Sequence, residues 1–314
     1  MPSLTKARFA GIILRLLPII AVSPLNNSHR PLLGVSLILV SCLTLASHDG
    51  LSKYLTQLYP VFLVIWARYM AQTALMLALF TPRMGRRVFR TLRPKLQIAR
   101  GLSLVSVSML FISGLSYIPL AEATAVIFLT PLLVTIASAL LGEHVSRAQW
   151  LAVGCGLIGV MIIVRPGGAL FTPAILLPLG AALSFTLYQL ITRRLSATDH
   201  PVTSNFITSL VGSLVMSVLV VFNWQTPTLH DALMMAALGA MAMSGHLLLT
   251  NAFRFASAAA LAPFTYSQII FAGVVGLIAF GHTPDVGAIV GMAIIIASGL
   301  VMAYVQGRQP RPPL

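Results

Sequence analysis

Apolar residues in this chain come in ten long runs, at residues 32–54, 60–80, 96–117, 120–141, 148–165, 173–193, 202–222, 230–253, 257–280 and 285–305. Most are about 20 residues long, the length an α-helix needs to cross the hydrocarbon of a bilayer. Turn-forming residues separate them: Pro60, Pro82 with Gly85, Pro119, Gly142, Pro166-Gly167-Gly168, Pro201, Pro227 and Pro284. The pattern predicts an all-α integral membrane protein of ten transmembrane helices. Composition agrees. The chain is 58% hydrophobic and 8% charged, where a soluble domain carries roughly a quarter charged residues.

The charges then orient the runs. Of the 20 Lys and Arg residues, 17 fall on one side if the N-terminus is inside, among them Arg83, Arg86, Arg87, Arg90, Arg93, Lys95 and Arg100 between the second and third runs. Lys53 and Arg165 fall on the other side, and Arg68 lies within a run. Basic residues concentrate in cytoplasmic loops, so both termini are expected in the cytoplasm. The net charge of +14 therefore reports topology and anionic lipid headgroups, not nucleic acid, since the basic residues sit in loops at membrane ends.

The runs also form two matched sets of five, repeat 1 over 32–165 and repeat 2 over 173–305. Tyr117 to Arg165 and Phe255 to Tyr304 share a layout of aromatic residue, small-residue loop, long apolar run, Gly-polar step and Gly-rich last helix. An odd number of spans per set inverts the second set relative to the first. Inverted repeats are a signature of secondary transporters, whose binding site lies at the repeat interface. Residues 1–31 read as a cytoplasmic, partly interfacial arm. Their apolar stretch, Phe9 to Val22, is interrupted by Arg15 and Pro18 and is too short to span; a signal peptide and a misassigned start codon are the alternatives. The Pro-rich tail, 306–314, is expected to be disordered.

Several motifs carry a resemblance. Leu115-Ser116-Tyr117-Ile118-Pro119-Leu120-Ala121-Glu122-Ala123, Thr130-Pro131-Leu132, Leu141-Gly142-Glu143-His144-Val145-Ser146, Gln149-Trp150 and the glycines before Arg165-Pro166-Gly167 are similar to the end of the first repeat in the EamA-type permeases of the drug/metabolite transporter superfamily. Ala67-Arg68-Tyr69 resembles the Arg-aromatic pair of that family's second span. The second repeat is more degenerate, with His282 standing where the first has Glu143. The resemblance covers about residues 32–305. It implies a ten-helix permease that exports, less often imports, small metabolites, most commonly amino acids and their derivatives. Asp49-Gly50-Leu51-Ser52-Lys53-Tyr54 further resembles the branch holding S-adenosylmethionine uptake carriers and exporters of opine-type metallophores such as pseudopaline.

Ionisable groups inside a membrane are costly and mark function by default. His48, Asp49 and Lys53 lie toward the outer end of the first run. Arg68 lies roughly 12 Å in from the outer end of the second, at 1.5 Å per residue. Glu122 opens the fourth, and His246 lies deep in the eighth. Asp49 and Lys53, one helical turn apart, can pair. Three readings fit Asp49 and Arg68: a structural ion pair, an Arg68 clamp on a substrate carboxylate, or an Asp49 proton relay tuned by Arg68. His48, Asp49, Glu122 and His246 are candidates for ion coupling, with interhelical hydrogen bonding the plain alternative for the histidines. Tyr188 and Gln189 in the sixth run, and Tyr266 and Gln268 in the ninth, join Arg68 and Asp49 as candidate substrate contacts, because large polar groups are costly to bury idly. Pro131 and Pro263, at equivalent places in the two repeats, free backbone carbonyls and allow flexing.

Cys42 and Cys155 sit inside apolar runs, and the seven histidines lack ligand spacing, so neither disulfide, cofactor nor metal is expected. The leading function is a secondary carrier of the inner membrane, exporting a small polar metabolite by alternating access. Import of a metabolite such as S-adenosylmethionine, or efflux of a cation or drug, are the transport alternatives. An intramembrane lipid-modifying enzyme is disfavoured, since it needs clustered acids or a Ser/His constellation and the six acids are scattered singly along the chain. Glycines 154, 156 and 159, with 287, 291 and 299, allow close helix contact, either joining the halves of a monomer or forming a homodimer.

Overall fold

The computed structural model describes residues 31–142, 145–165, 171–195, 198–252, 255, 261 and 264–308. The arm at 1–30, Glu143, Pro263 and the tail beyond Arg308 lie outside the described residues. Among the described residues there is no β-strand. The helices are α1 (Pro31–Leu58), α2 (Val61–Met84), α3 (Pro94–Leu115), α4 (Leu120–Ile127), α5 (Thr130–Leu140), α6 (Arg147–Val164), α7 (Leu176–Leu195), α8 (Pro201–Val220), α9 (Leu229–Ala252), α10 (Ser267–Phe280) and α11 (Val286–Arg308). Short 3-10 turns follow α2 (Gly85–Phe89), precede α7 (Pro173–Ile175) and follow α8 (Val221–Asn223).

Helices α4 and α5 together make one span, Leu120–Leu140, and nine described segments are long and apolar enough to cross a membrane. The tenth, α10, is a shorter apolar helix of 14 residues; the residues expected to extend it toward 257 lie mostly outside the described set.

Local chemistry sets the boundaries. Proline occupies the first turn of α3, α5 and α8, where its missing N–H costs nothing. A capping box opens α6: Ser146 Oγ accepts from the Gln149 N–H, and Gln149 Oε1 accepts from the Ser146 N–H at 2.8 Å. Gly281 closes α10 in the left-handed region, at φ 64°. The fourth span breaks at Phe128 and Leu129, just before Pro131. Thr130 Oγ1 donates to the Ile127 carbonyl at 2.6 Å, occupying an acceptor that the proline leaves open. The ninth span has a matching turn at Tyr266 before α10 begins.

The main packed pairs are α6 with α11, α3 with α7, α1 with α9, α2 with α9, α2 with α8, α3 with α8, α1 with α10, α4 and α5 with α7, and α4 with α10. Exchanging each span for the one five further along maps this set onto itself. The inverted repeat is thus written into the packing. Helices α1, α2 and α9 form one cluster and α3, α7 and α8 its counterpart, so each cluster draws a helix from the opposite repeat. The glycines serve the contact between repeats: a Cβ added at Gly159 would come within 2.9 Å of the Gly291 carbonyl oxygen on α11.

Two polar knots, related by the same exchange, tie the clusters at opposite ends. At one end the Tyr59 hydroxyl donates to Asp231 Oδ2 at 2.7 Å, as does Thr228 Oγ1. At the other, Asp199 accepts from Gln97 Nε2 at 2.7 Å, from the Leu92 N–H at 3.2 Å and from the Thr91 hydroxyl. Burial pushes the Asp199 carboxyl up, but the bonds from Thr91, Gln97, Leu92 and Thr198 outweigh it and hold the group below the ordinary carboxylate range.

Candidate substrate site

The α1–α2–α9 cluster carries His48, Asp49, Arg68 and His246. Arg68 on α2 is 4% exposed. Its guanidinium lies 4.0 Å from the centroid of the Tyr69 ring, and one terminal nitrogen donates to Ser108 Oγ on α3 at 2.6 Å. Tyr69 shares the same hydroxyl at 3.0 Å. The ring fits because α8 carries glycine opposite it: a Cβ at Gly212 would lie 2.5 Å from Tyr69 Cδ1. Arg68 Nε is buried without a hydrogen-bond partner among the described residues. A guanidinium has five N–H donors in a rigid fork, so this one is held in place with donors to spare.

On α1, His48 Nδ1 and Asp49 Oδ1 are 2.9 Å apart. The carboxylate fixes the imidazole, and the other ring nitrogen, His48 Nε2, is buried and unpartnered among the described residues. Ser52, one turn further, also has a buried hydroxyl without a partner among the described residues. On α9, His246 is half-buried at depth and sits in the electrostatic field of Arg68, His48 and Arg100. Native proteins rarely leave several buried polar atoms unsatisfied together. Among the described residues, Arg68 Nε and His48 Nε2, on groups that both act electrostatically on His246, and Ser52 Oγ, one turn beyond His48, are buried polar atoms left open in this part of the bundle.

Asp49 is thus engaged by His48, not by Lys53 or Arg68 as two of the sequence readings had it. Lys53 instead donates to the Leu115 and Ile118 carbonyls, the latter at 2.8 Å, and lies 5.7 Å from the Phe280 ring. Those carbonyls end α3, where a cation is favoured. Arg100, which sequence analysis counts as a loop charge, is 4% exposed. It donates to Thr192 Oγ1 at 2.7 Å, the Ser204 carbonyl at 2.7 Å, Thr208 Oγ1 at 2.5 Å and the Tyr188 hydroxyl at 2.6 Å. This spent guanidinium locks α3 to α7 and α8. One signal for it was available: Gln97, Arg100 and Ser108 share one face at helical spacing.

Tyr188 is occupied with Arg100, and Gln189 beside it is half-buried. Tyr266 lies in the apolar core between α5 and α11, 5.3 Å from the Phe128 ring, with its hydroxyl over Gly299; it does not join the Arg68 group. Gln268 is half-buried on α10, and its backbone lies against the Cys42 thiol of α1. Glu122, in the first turn of α4, is 2% exposed; its Oε1 lies 3.0 Å from His282 Nε2 and its Oε2 has no partner among the described residues. This pair ties the first turn of α4 to the segment that follows α10.

Comparison with known proteins assigns the chemistry to a family. The EamA-like transporter family matches twice, at residues 32–165 and 172–304. An S-adenosylmethionine uptake transporter of Rickettsia bellii is 28% identical over 87% of this chain and 94% of its own length. A riboflavin transporter of Vibrio cholerae is 28% identical over 87% and 94%, and the pseudopaline exporter of Pseudomonas aeruginosa 26% identical over 86% and 95%. A crystal structure superposes with a TM-score of 0.62 at 22% identity, covering 88% of this chain and 97% of that one; it supports the fold. The protein is a multi-pass transporter of the cell inner membrane, and its chain belongs to the EamA-like transporter family.

Proposed function

We propose that this protein is a secondary carrier for a small, carboxylate-bearing metabolite derived from an amino acid, moved by alternating access between two inverted repeats with both termini in the cytoplasm. The observation that carries the cargo class is Arg68, a buried guanidinium fixed by Tyr69 and Ser108 with Nε unpartnered. A planar fork with free donors matches a carboxylate. His48 and Ser52 supply further polar contacts, and Asp49 keeps the His48 ring in position. S-adenosylmethionine and pseudopaline, named for two of the relatives, both contain an amino-acid carboxylate.

Export of such a metabolite is the reading of the sequence. A second reading, uptake, is favoured by the relatives named as S-adenosylmethionine uptake transporters. The binding chemistry is shared, and the gradients of cargo and coupling ion set the direction.

The test is counterflow in proteoliposomes containing the full chain, with radiolabelled S-adenosylmethionine, individual amino acids and riboflavin. A carboxylate-bearing zwitterion should exchange. Arg68→Ala should lower that exchange at least about tenfold and Arg68→Lys less, since lysine keeps the charge without the fork. Undiminished exchange by Arg68→Ala overturns the site, and exchange of riboflavin alone overturns the cargo class.

A further inference from the structure

The His48–Asp49 pair has a geometry that substrate binding alone does not require. The carboxylate orients the imidazole through Nδ1 at 2.9 Å and leaves Nε2 buried and unpartnered among the described residues, with the side chain 8% exposed. A carboxylate–imidazole pair with one open nitrogen is a proton acceptor held in a fixed tautomer.

We propose that His48 is the proton-binding group of the carrier, and that one proton crosses with each carboxylate-bearing cargo. The inference rests on the Arg68 reading given above.

The surroundings supply the coupling. On the helices packed against α1, the ionisable groups within the spans are Arg68 and Tyr69 on α2, Arg100 on α3, Glu122 on α4 and His246 on α9, with Tyr266 in the turn before α10; Lys53 and Tyr54 share α1 with the pair, and Arg83, Lys95, His230 and Asp231 stand at helix ends. Glu122 is held by His282, Lys53 by the end of α3, and Tyr266 faces the apolar core. That leaves two guanidinium charges, one carboxylate and two imidazoles around the centre. A cargo carboxylate seated on Arg68 cancels part of the positive field there. A proton on His48 Nε2 does the converse for the cargo. Each therefore strengthens the binding of the other, and linkage makes the effect reciprocal. His48 Nε2 takes its proton from water at one face with the cargo bound and returns it to water at the other as the cargo leaves. No bond other than N–H is made or broken. A proton gradient directed into the cell would then drive uptake.

The experiment uses proteoliposomes with the full chain, the membrane potential clamped, and an alkaline interior, with radiolabelled S-adenosylmethionine or whichever zwitterion exchanges in counterflow as the probe. Wild type should concentrate the probe toward about tenfold per pH unit, the limit for one proton per cargo, and cargo entry should acidify a trapped pH dye. His48→Gln should lose accumulation above equilibrium, and its counterflow should lose its pH dependence, whatever its absolute rate. Wild type that exchanges the probe but never concentrates it, or concentrates it without moving protons, overturns the coupling while leaving the carrier reading intact. Undiminished accumulation by His48→Gln overturns the assignment of the proton to His48. Loss of Arg68 dependence, by contrast, strikes the carrier site itself. Wild-type dye acidification requires no variant, so a misfolded His48→Gln cannot decide the matter alone.

Discussion

Arg68 rests its guanidinium on the ring of the next residue, Tyr69, at 4.0 Å, and that ring stands where it does because Gly212, on the other repeat, leaves room for it. The charge of one half is thus aimed by the smallest residue of the other. The ring also contributes a cation–π term of about 0.5–2 kcal/mol.

Gly212→Ala should therefore act at a distance. The added methyl would lie 2.5 Å from Tyr69 Cδ1, so the ring must shift and Arg68 with it. Overpacking of this kind costs about 1–3 kcal/mol, read as a lower melting temperature in detergent. Exchange should fall more steeply than stability, because the fork must meet its carboxylate in register. A variant that melts lower but exchanges normally would separate Gly212 from the site.

Asp199 predicts an acid-labile anchor. Its folded pKa lies below the ordinary value, so its contribution to stability is fully present above the unfolded pKa, about 4, and is lost as pH falls through the folded value. Melting temperatures between pH 7 and pH 3 should decline at the acid end, and Asp199→Asn should flatten that decline. At neutral pH the same substitution should cost roughly 1–3 kcal/mol, since it weakens charged hydrogen bonds to Thr91, Gln97 and the Leu92 N–H.

Lys53→Met should destabilise despite being more apolar. The ammonium satisfies the Leu115 and Ile118 carbonyls at the end of α3, and a thioether leaves both without their donor. A loss of about 1–3 kcal/mol is expected, measured by thermal unfolding of the purified protein. A gain in stability would mean that water takes over these carbonyls at no cost.

Orientation can be read by labelling. In a background with Cys42 and Cys155 replaced, Thr226→Cys between α8 and α9 should react with a membrane-impermeant maleimide in intact spheroplasts. Arg90→Cys, in the basic segment between α2 and α3, should react only after permeabilisation. Both residues are exposed, so accessibility reports sidedness. The reverse pattern would invert the proposed topology.

The span pattern was legible because hydrocarbon thickness is a strict ruler and proline and glycine are poor helix interiors. The described helices begin and end within a few residues of most of the expected runs. Pro131 was legible as a place of freed carbonyls and flexing within one run, and the structure breaks the run into two helices just before it. Lateral relationships were harder. Arg100 resembled the surrounding loop arginines, yet it stands two turns inside α3 with four hydrogen bonds to α7 and α8. Tyr266 and Gln268 appeared equivalent as buried polar residues of one span, but helical rotation puts Tyr266 in the apolar core. Asp49 had two plausible partners, Lys53 by spacing and Arg68 by depth, and the structure pairs it with its own neighbour, His48.

The sequence by itself determined the number and rough limits of the membrane runs, the concentration of charge at one end, the twofold repetition, and the short set of polar residues that a bilayer makes expensive. These follow from one-dimensional quantities: run length, hydropathy, charge order and the positions of helix breakers. Only the tertiary structure decided which of those polar residues are spent and which are open. Arg100 is consumed in locking α3 to α7 and α8, whereas Arg68 keeps an Nε that is free among the described residues, in the cluster that also carries His48 and His246. That distinction depends on which faces of neighbouring helices meet, and it is set by close packing at residues such as Gly212, Gly239 and Gly159 that carry no charge at all.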